Sequence, residues 1–464
     1  MQTNTNIQTT TEGIKHPKAV YFLGIGGIGM SALARYYKNS GAVVSGYDRT
    51  PTSLTAQLQA EGIDVHFDED LNAVDKNADF VVYTPAIPEN HIELKYLVEH
   101  KYPLYKRSEI LGFITRDHEN ICVAGTHGKS TTSAMIAHIL RDSGFGCNAF
   151  LGAISANYKT NFWSDTNPVC VAEADEFDRS FLKLSPTVAI ITSMDADHLD
   201  IYGSAKAVQD AFIAFSGKIK PGGCLILKYG LAREDELVAD TRIRYALNNP
   251  EADAYTQNLQ QADAGYRFDL VLKDRVIKNI ELPMGGLHNV ENMVAAILAA
   301  LQMKIEEADI LRAVKSFAGV KRRFEYVFKT DKILYIDDYA HHPEELRALI
   351  TGAKALYPNK RCCIIFQPHL FSRTYDFADG FAEVLSLADE TVLLPIYPAR
   401  ELPMKNVSSQ LILEKLTNRQ HALMEKLELV KWLQTKEVEL LITAGAGDID
   451  KLVEPIKEIL VHKN

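Results

Sequence analysis

Several features are scarce in this chain of 464 residues, and each scarcity excludes a class of protein. There are six cysteines, and no two form a CxxC pair, so buried thiols in a reducing compartment are expected. An excess of positive charge is missing: the net charge is −10, whereas a general nucleic-acid-binding protein is normally basic. No long apolar run is present either, because the longest, near residues 293–303, is far too short to span a bilayer.

Residues 1–13 are polar and lack the apolar core of a signal peptide, which predicts a soluble cytoplasmic protein.

The length predicts two to four domains. Strand-like and helix-like segments alternate almost throughout, which is typical of α/β folds with mostly parallel sheets. Residues 111–120 read as a connection between two such regions. We therefore place the predicted domains at residues 1–115, 116–319 and 320–464.

The most informative stretch is Gly-Thr-His-Gly-Lys-Ser at residues 125–130. An apolar strand-like run precedes it and a helix-like run follows, so its backbone N–H groups and the helix dipole face an anion. Lys129 is then placed to neutralise the β and γ phosphates of a nucleoside triphosphate, and Ser130 to hold Mg²⁺. The loop is shorter than the common GxxxxGK[ST] pattern, because Val123 stands where the first glycine belongs. A chance glycine turn before a helix is the alternative.

A second glycine turn, Gly-Ile-Gly-Gly-Ile-Gly at residues 24–29, lies between a predicted strand at 20–23 and a predicted helix at 29–39. Asp48 ends the next strand, about where a ribose-binding acid belongs. Taken alone, this GxGxxG pattern predicts NAD binding. The turn accepts any nucleotide that carries a pyrophosphate, however, and a purely structural tight turn is a further alternative.

Two acidic segments follow apolar strands in the central region. Glu173 is the first residue of Glu-Ala-Asp-Glu-Phe-Asp, after a strand at 168–172, and His198 lies in Asp-Ala-Asp-His-Leu-Asp, after a strand at 187–192. Ligands in open α/β sheets gather at the carboxyl ends of strands. We therefore expect Lys129, Glu173 and His198 to converge on one crevice, where carboxylate oxygens suit Mg²⁺. A solvated acidic loop and a packing histidine are the alternatives.

The region after the second acidic segment contains strands and then an Ala-rich helix. Residues 240–282 alternate apolar and polar side chains, which predicts an antiparallel excursion. The sequence Gly-Leu-His-Asn-Val-Glu-Asn then opens a helix predicted at 290–301. His288 and Asn292 offer donors and acceptors suited to a base edge or ribose. Helix capping by Asn289 is the alternative, and the two interpretations are compatible.

The last third of the chain carries two polar segments that each follow a predicted strand. These are Asp-Asp-Tyr-Ala-His-His-Pro at 337–343 and Gln-Pro-His-Leu-Phe-Ser-Arg-Thr at 367–374. Adjacent histidines suggest zinc, but no cysteine or third histidine is spaced to complete a site. A carboxylate-binding pocket fits better, because the guanidinium of Arg373 offers two parallel donors to a carboxylate.

Eight motifs occur in order across nearly the whole chain: GIGGIGM, GTHGKST, EADEFD, DADHLD, GLHNVEN, KRRF, DDYAHHP and QPHLFSRT. In this set the sequence resembles the Mur ligases of peptidoglycan synthesis. The resemblance implies a Rossmann-like N-terminal domain for a UDP sugar, a central P-loop-type ATPase domain and a Rossmann-like C-terminal domain for an amino acid. It also assigns the first glycine turn to the UDP diphosphate rather than to NAD.

Within the family, the motifs are most similar to those of the member that ligates L-alanine to the carboxylate of UDP-N-acetylmuramate. The resemblance therefore implies ATP and Mg²⁺ as cofactors and an acyl-phosphate intermediate. Both substrates are small molecules, so neither nucleic-acid binding nor membrane insertion is expected. The expected oligomeric state is a monomer or a weak homodimer. A related ligase that adds a preformed peptide to the same UDP sugar is the alternative. An NAD-dependent dehydrogenase is a third reading, but GTHGKS and DADHLD have no role in it.

The resemblance also implies roles for individual residues. The catalytic residues would be Lys129, Glu173 and His198, with one Mg²⁺ on Ser130 and Glu173 and a second on His198. The ATP site would comprise Gly125, Thr126, His127, Gly128, Lys129, Ser130, Thr131, His288, Asn292 and Arg323. The UDP-sugar site would comprise Gly24, Gly26, Gly27, Gly29 and Asp48. The amino-acid pocket would comprise His342, His369 and Arg373.

Three positions depart from the common pattern of the family. Ser130 replaces a more usual threonine but keeps the hydroxyl, so the change is expected to be mild. Ala340 stands where glycine is usual before the two histidines. Leu370 stands where many members have arginine, which leaves Arg373 as the main cation of that loop.

Overall fold

A computed structural model describes residues 11–196, 199–262, 265–399 and 401–463. The contacts within the chain divide it into two compact units. The first contains residues up to 257 together with 269–280 and 292–316, and the second contains 258–268, 281–291 and the chain from 317 onward.

The first sheet of unit 1 has five parallel strands in the order β3-β2-β1-β4-β5. All five residues of β1 are buried, as its apolar sequence predicts. The strand order reverses beside β1, so the glycine turn that follows β1 opens at the switch point where such sheets bind ligands. The elements are β1 (Ala19–Leu23), β2 (Val43–Tyr47), β3 (Asp64–His66), β4 (Phe80–Tyr83) and β5 (Leu104–Lys106), with α1 (Thr11–Lys15), α2 (Ile28–Asn39), α3 (Ser53–Ala60), α4 (Ile92–Glu99) and α5 (Arg107–Asp117).

The central sheet has ten strands in the order β15-β14-β13-β12-β11-β10-β6-β9-β7-β8. Strand β6 is parallel to both of its neighbours, β9 and β10. The strands are β6 (Asn120–Ala124), β7 (Asn148–Phe150), β8 (Phe162–Trp163), β9 (Cys170–Glu173), β10 (Val188–Ile191), β11 (Cys224–Lys228), β12 (Thr241–Ala246), β13 (Ala254–Ala262), β14 (Gly265–Val271) and β15 (Val276–Leu282). The helices are α6 (Lys129–Asp142), α7 (Leu199–Tyr202), α8 (Ala205–Ser216), α9 (Leu287–Gln302) and α10 (Glu307–Ser316).

Unit 1 is held together by one apolar core that joins these two sheets. Phe22 of the first sheet and Ala124 and Ile191 of the central sheet belong to the same cluster of buried side chains. Polar contacts also join the two regions, because the buried Asn161 accepts a hydrogen bond from Arg35 and donates one to the carbonyl of Ile28. The first glycine turn and the phosphate loop are therefore parts of one packed body.

The C-terminal sheet of unit 2 has six strands in the order β16-β17-β21-β18-β19-β20, and only β16 is antiparallel to its neighbour. The strands are β16 (Glu325–Lys329), β17 (Leu334–Asp338), β18 (Cys362–Phe366), β19 (Glu390–Leu393), β20 (Gln420–Leu423) and β21 (Leu440–Ala444). The helices are α11 (Pro343–Leu356), α12 (Phe371–Asp376), α13 (Ala378–Leu385), α14 (Gln410–Leu413), α15 (Lys426–Thr435) and α16 (Val453–Lys463).

The predicted α/β class with mostly parallel sheets is confirmed, but two local predictions are wrong and a third is wrong in part. The predicted connection at 111–120 is largely the helix α5, whose first turn is capped by Glu109 and whose buried face includes Ile110 and Ile114. The predicted antiparallel excursion at 240–282 is wrong for β12, which pairs in parallel with both of its neighbours, and for β13 to β15 it stays a prediction. Asn289 does not cap α9, since that helix begins two residues earlier, at Leu287. The side-chain amide of Asn289 donates instead to the carbonyl of Gly285.

No helix in the described part of the chain is long and apolar enough to cross a membrane.

Candidate active site

The phosphate loop at residues 125–128 joins the end of β6 to the first residue of α6, as the sequence predicts. Two of its glycines are needed for the backbone conformation and for close approach. Gly125 has φ +137°, and a Cβ there would lie 2.0 Å from the Thr192 hydroxyl oxygen. Gly128 caps the helix with φ +84°, and a Cβ there would lie 2.6 Å from Oδ1 of Asn292. Any larger residue would strain and open the loop.

The segment that follows β10 holds one side of the phosphate loop in place through hydrogen bonds. The Thr126 hydroxyl donates to the carbonyl of Asp195 over 2.9 Å, and the backbone N–H of His127 donates to the Ser193 hydroxyl over 2.9 Å. The His127 ring also approaches the Asp195 carboxylate, with 3.8 Å between Nε2 and Oδ2. Thr126 and His127 therefore hold the loop against the neighbouring strand end.

Lys129 is the cation of the loop. Its ammonium donates to the carbonyl of Gly125 over 2.7 Å and lies 2.8 Å from Oε2 of Glu176, whose side chain is only 2% exposed. Burial by itself lowers the pKa of Lys129, but the carboxylates of Glu176, Asp175 and Glu173 outweigh it and raise the pKa above its ordinary value. Lys129 is therefore a cation at neutral pH, at the N-terminus of α6.

Glu173 and Ser130 lie close to this cation. Glu173 ends β9, directly beside β6, and Ser130 lies buried in the first turn of α6. The Glu173 carboxylate packs against Gly152, where a Cβ would fall 2.0 Å from Oε2. His198, the third predicted member of this group, lies outside the described residues. Since β10, β6 and β9 are adjacent and parallel, the predicted convergence of strand ends holds for Lys129, Glu173 and the segment after β10.

Two predicted ATP-site residues, His288 and Asn292, lie in different units. Asn292 belongs to unit 1 and its amide lies against Gly128, as described above. His288 belongs to unit 2, where its ring packs against Gly286; a Cβ on that glycine would lie 2.5 Å from Cε1 of the ring.

The glycine turn after β1 is closed by Asp48. Gly24 has φ +86° and its N–H donates to the carbonyl of Tyr47 over 2.8 Å, while the N–H of Gly26 donates to Oδ2 of Asp48 over 2.8 Å. The other Asp48 oxygen accepts the N–H of Thr50 over 3.1 Å. A carboxylate predicted to bind ribose therefore also braces the turn. Gly27 caps α2, so the N-terminus of that helix opens from this turn.

Arg107 is a member of this region that sequence reasoning missed. It is the first residue of α5, and its guanidinium lies over Gly29, where a Cβ would fall 2.9 Å from Nη1. Its Nη2 lies 3.7 Å from Oδ2 of Asp175. No local pattern marks this arginine, because only the packing of α5 beside α2 brings it to the turn.

In unit 2, two buried aspartates end β17 beside the KRRF motif. Arg322 donates to Asp337 over 3.1 Å, and the N–H of Phe324 donates to Asp338 over 2.6 Å. Burial raises the pKa of each carboxyl to about 6, although the adjacent arginines lower it in part. The guanidinium of Arg323, a predicted ATP-site residue, lies over the Tyr339 ring at 5.2 Å.

The predicted amino-acid pocket lies on loops after β17 and β18, which flank β21. The rings of His341 and His369 are 6.2 Å apart, and His369 stacks on Tyr397. Burial, followed by the charges of His341 and Arg373, lowers the pKa of His369 to about 4, so this ring is neutral near pH 7. His342, in contrast, caps α11 and packs against a phenylalanine.

Leu370 lies between His369 and the first residue of α12, and its backbone adopts φ +68°. Its N–H donates to the carbonyl of Tyr397 over 2.9 Å, and its carbonyl accepts the Thr374 hydroxyl over 2.7 Å. A non-glycine residue in this region is costly and persists only where the surroundings hold it. The backbone immediately before α12, the helix that carries Arg373, is therefore held in a strained conformation.

Sequence profiles of known families match three consecutive stretches of the chain. The profile for "Mur ligase family, catalytic domain" matches residues 19–119, "Mur ligase middle domain" matches 123–300, and "Mur ligase, glutamate ligase domain" matches 322–448. The chain belongs to the Mur ligase family. The resemblance drawn from eight short motifs is thereby confirmed.

Individual relatives of this Mur ligase match over nearly its full length. It is 47% identical over 449 residues to UDP-N-acetylmuramate–L-alanine ligase of Parabacteroides distasonis, which covers 95% of this chain and 97% of the relative. It is 45% identical to the protein of the same name from Flavobacterium johnsoniae, with the same coverage.

Solved structures give the same fold. The UDP-N-acetylmuramate-alanine ligase of Thermotoga maritima matches with a TM-score of 0.83 at 29% identity, over 96% of this chain and all of the other. A murein peptide ligase from Psychrobacter arcticus matches with a TM-score of 0.69 at 24% identity, over 96% of this chain and 98% of the other. At that identity the second likeness concerns the fold alone.

Proposed function

We infer that this Mur ligase joins L-alanine to the carboxylate of UDP-N-acetylmuramate with ATP, a step of peptidoglycan precursor synthesis. The observation that carries the inference is 47% identity, over 95% of the chain, to a ligase named for that reaction. The alternative, a ligase for a preformed peptide, is not favoured, since the two relatives that match 95% of the chain at 45% and 47% identity are both named for the L-alanine reaction.

The chemistry needs a site that stabilises negative charge. The muramoyl carboxylate attacks the γ-phosphorus of ATP, which gives an acyl phosphate and ADP. The amine of L-alanine then attacks the acyl carbon, and the tetrahedral intermediate expels phosphate. Each step brings anions together, so positioned cations and N–H donors supply most of the catalysis. Lys129, fixed at the N-terminus of α6, fits the role of the cation that stabilises the transferring phosphoryl group.

Mg²⁺ fits the residues beside this cation. The described residues contain no group of three or more His, Cys, Asp or Glu side chains arranged for a metal. Mg²⁺ usually takes one or two carboxylates and completes its shell with phosphate oxygens and water. Glu173, at the strand end, and the Ser130 hydroxyl would hold it. When bound, Mg²⁺ neutralises phosphate charge. The second metal position, on His198, stays a prediction.

We further propose the assignment of ligands to regions of the chain. The UDP sugar is placed on residues 1–115, ATP on 116–319 and the amino acid on 320–464, with the site residues named above. Support comes from the glycine turn at the switch point of the first sheet and from the neutral ring of His369, whose pKa the charge of Arg373 helps to lower. The cytoplasmic location and the monomeric or weakly dimeric state are part of the same proposal.

Phosphate release from ATP tests the proposed reaction. The full chain is incubated with ATP, Mg²⁺ and UDP-N-acetylmuramate, and a panel of single amino acids and of short peptides is compared. We expect stoichiometric phosphate release with L-alanine and the ligated product by mass spectrometry. Release with a peptide but not with L-alanine would establish the alternative, and release that needs no UDP sugar would contradict both.

A further inference from the structure

The segment Glu173–Asp178, here called the acidic loop, places three carboxylates on three cations. Glu176 contacts Lys129 at 2.8 Å, Asp178 contacts Lys106 at 3.1 Å, and Asp175 contacts Arg107 at 3.7 Å. Two of these cations lie at the two places proposed above to bind phosphate groups. Lys129 lies on the phosphate loop, and Arg107 lies over the glycine turn after β1.

The position of Arg107 suits a diphosphate. Strand β5 is parallel to the rest of the first sheet, so α5 begins at the same sheet edge as the glycine turn. The guanidinium covers Gly29 in the first turn of α2, where N–H groups and the helix dipole already favour an anion. Its side chain is 28% exposed, so a ligand at the turn has access to it. A guanidinium binds phosphate oxygens through two parallel hydrogen bonds.

The pair of Arg107 with Asp175 is loose enough to exchange. Its 3.7 Å separation exceeds hydrogen-bond distance, and both side chains are about one-third exposed. Pairs of this kind contribute little to stability, whereas a doubly charged diphosphate at a helix N-terminus attracts a guanidinium more strongly. The Lys129–Glu176 pair is tighter, but the γ-phosphate of ATP is the anion that Lys129 is proposed to meet.

We propose that the acidic loop and the phosphates of the two substrates compete for the same cations. Asp175 competes with the UDP diphosphate for Arg107, and Glu176 competes with ATP for Lys129. Because both carboxylates belong to one short loop, a phosphate that takes one cation weakens the hold of the loop on the other. The two substrates then bind with positive cooperativity, and the coupling is reciprocal. This inference rests on the proposed function and assigns Arg107 as a positioning residue for the UDP sugar.

Isothermal titration of the full chain with UDP-N-acetylmuramate tests the proposal, with and without a saturating non-hydrolysable ATP analogue and Mg²⁺. In the wild type we expect the analogue to tighten UDP-sugar binding roughly fivefold or more, within the range common for coupled sites. Asp175→Asn should tighten binding several-fold without the analogue and shrink the coupling. Arg107→Gln should weaken binding about tenfold or more, and adding Asp175→Asn to it should then change nothing.

Asp178→Asn is the matched control. It removes a similar ion pair from the same loop, but its partner Lys106 makes no described contact with the glycine turn. We expect wild-type affinity and coupling, and thermal unfolding reports whether the loop variants keep the fold. The proposal is overturned if Asp175→Asn binds the UDP sugar like Asp178→Asn, or if Arg107→Gln binds like the wild type. A wild-type chain that binds no UDP-N-acetylmuramate would overturn the proposed function as well.

Discussion

Replacement of Lys129 separates its role in catalysis from its role in the fold. Lys129→Met removes the cation from Glu176, whose side chain is 2% exposed, so a buried carboxylate loses its partner. Breaking a buried pair in this way costs about 3–5 kcal/mol. At about 2 °C per kcal/mol for a unit of this size, the Tm should fall by roughly 6–10 °C. Turnover should fall by about 10²–10³ or more, because a transition-state contact is lost.

Glu176→Gln completes a double-mutant cycle. This change leaves Lys129 bonded to the carbonyl of Gly125, so we expect a smaller loss, about 1.5–3 kcal/mol. The double variant has no buried charge at this position. It should therefore be more stable than the sum of the two single losses predicts, by about 1–3 kcal/mol. Activity should stay lost in the double variant, since Lys129 is the member of this pair that is proposed to meet phosphate.

Thermal unfolding and phosphate release are measured on all four proteins at pH 7.5. The pKa of Lys129 is raised above its usual 10.5, so the stabilisation by the pair is complete below that pH and is lost as the pH rises through the raised value. Strictly additive losses of stability would refute the buried-pair argument. Wild-type turnover in Lys129→Met would refute the catalytic assignment.

Three further predictions concern the other sites. Gly26→Val should weaken UDP-N-acetylmuramate binding about tenfold or more, because a Cβ at this position would lie 2.8 Å from Asp48. Binding of the ATP analogue should be unchanged, and isothermal titration measures both affinities. Gly217→Ala is the control, since a Cβ there meets only a 3.4 Å contact. His369 should titrate near pH 4 by NMR. An unfolded histidine binds its proton near pH 6.5, so the free energy of unfolding should fall as the pH drops from 6.5 toward 4. A His369→Phe variant whose stability has the same pH dependence as the wild type would contradict this. Arg373→Lys should raise the KM for L-alanine about tenfold in steady-state kinetics, because the charge is kept but the two parallel donors of the guanidinium are lost. The KM for ATP should stay nearly unchanged. A raised KM for ATP with an unchanged KM for L-alanine would assign Arg373 to the nucleotide site.

Local patterns in the sequence predicted the strands and turns well. Apolar runs such as 121–124 became buried strands, and the glycines at 125 and 128 lie where positive φ values require them. The helix at 107–117 was missed because its polar first turn and short length resemble a loop. The antiparallel prediction was wrong for β12 because alternation in a sequence reports exposure of alternate side chains and carries no information on strand direction.

The α/β class, the two glycine turns and the family could be predicted without coordinates, because they depend on residue types at short, fixed spacings. Which charged side chains contact each other became clear from the folded chain alone. Glu176 pairs with Lys129, Asp48 braces the glycine turn, and Arg107 reaches that turn from a separate helix. These contacts join residues 22 to 78 positions apart, and such pairings depend on how strands and helices are ordered in space, which no local spacing encodes.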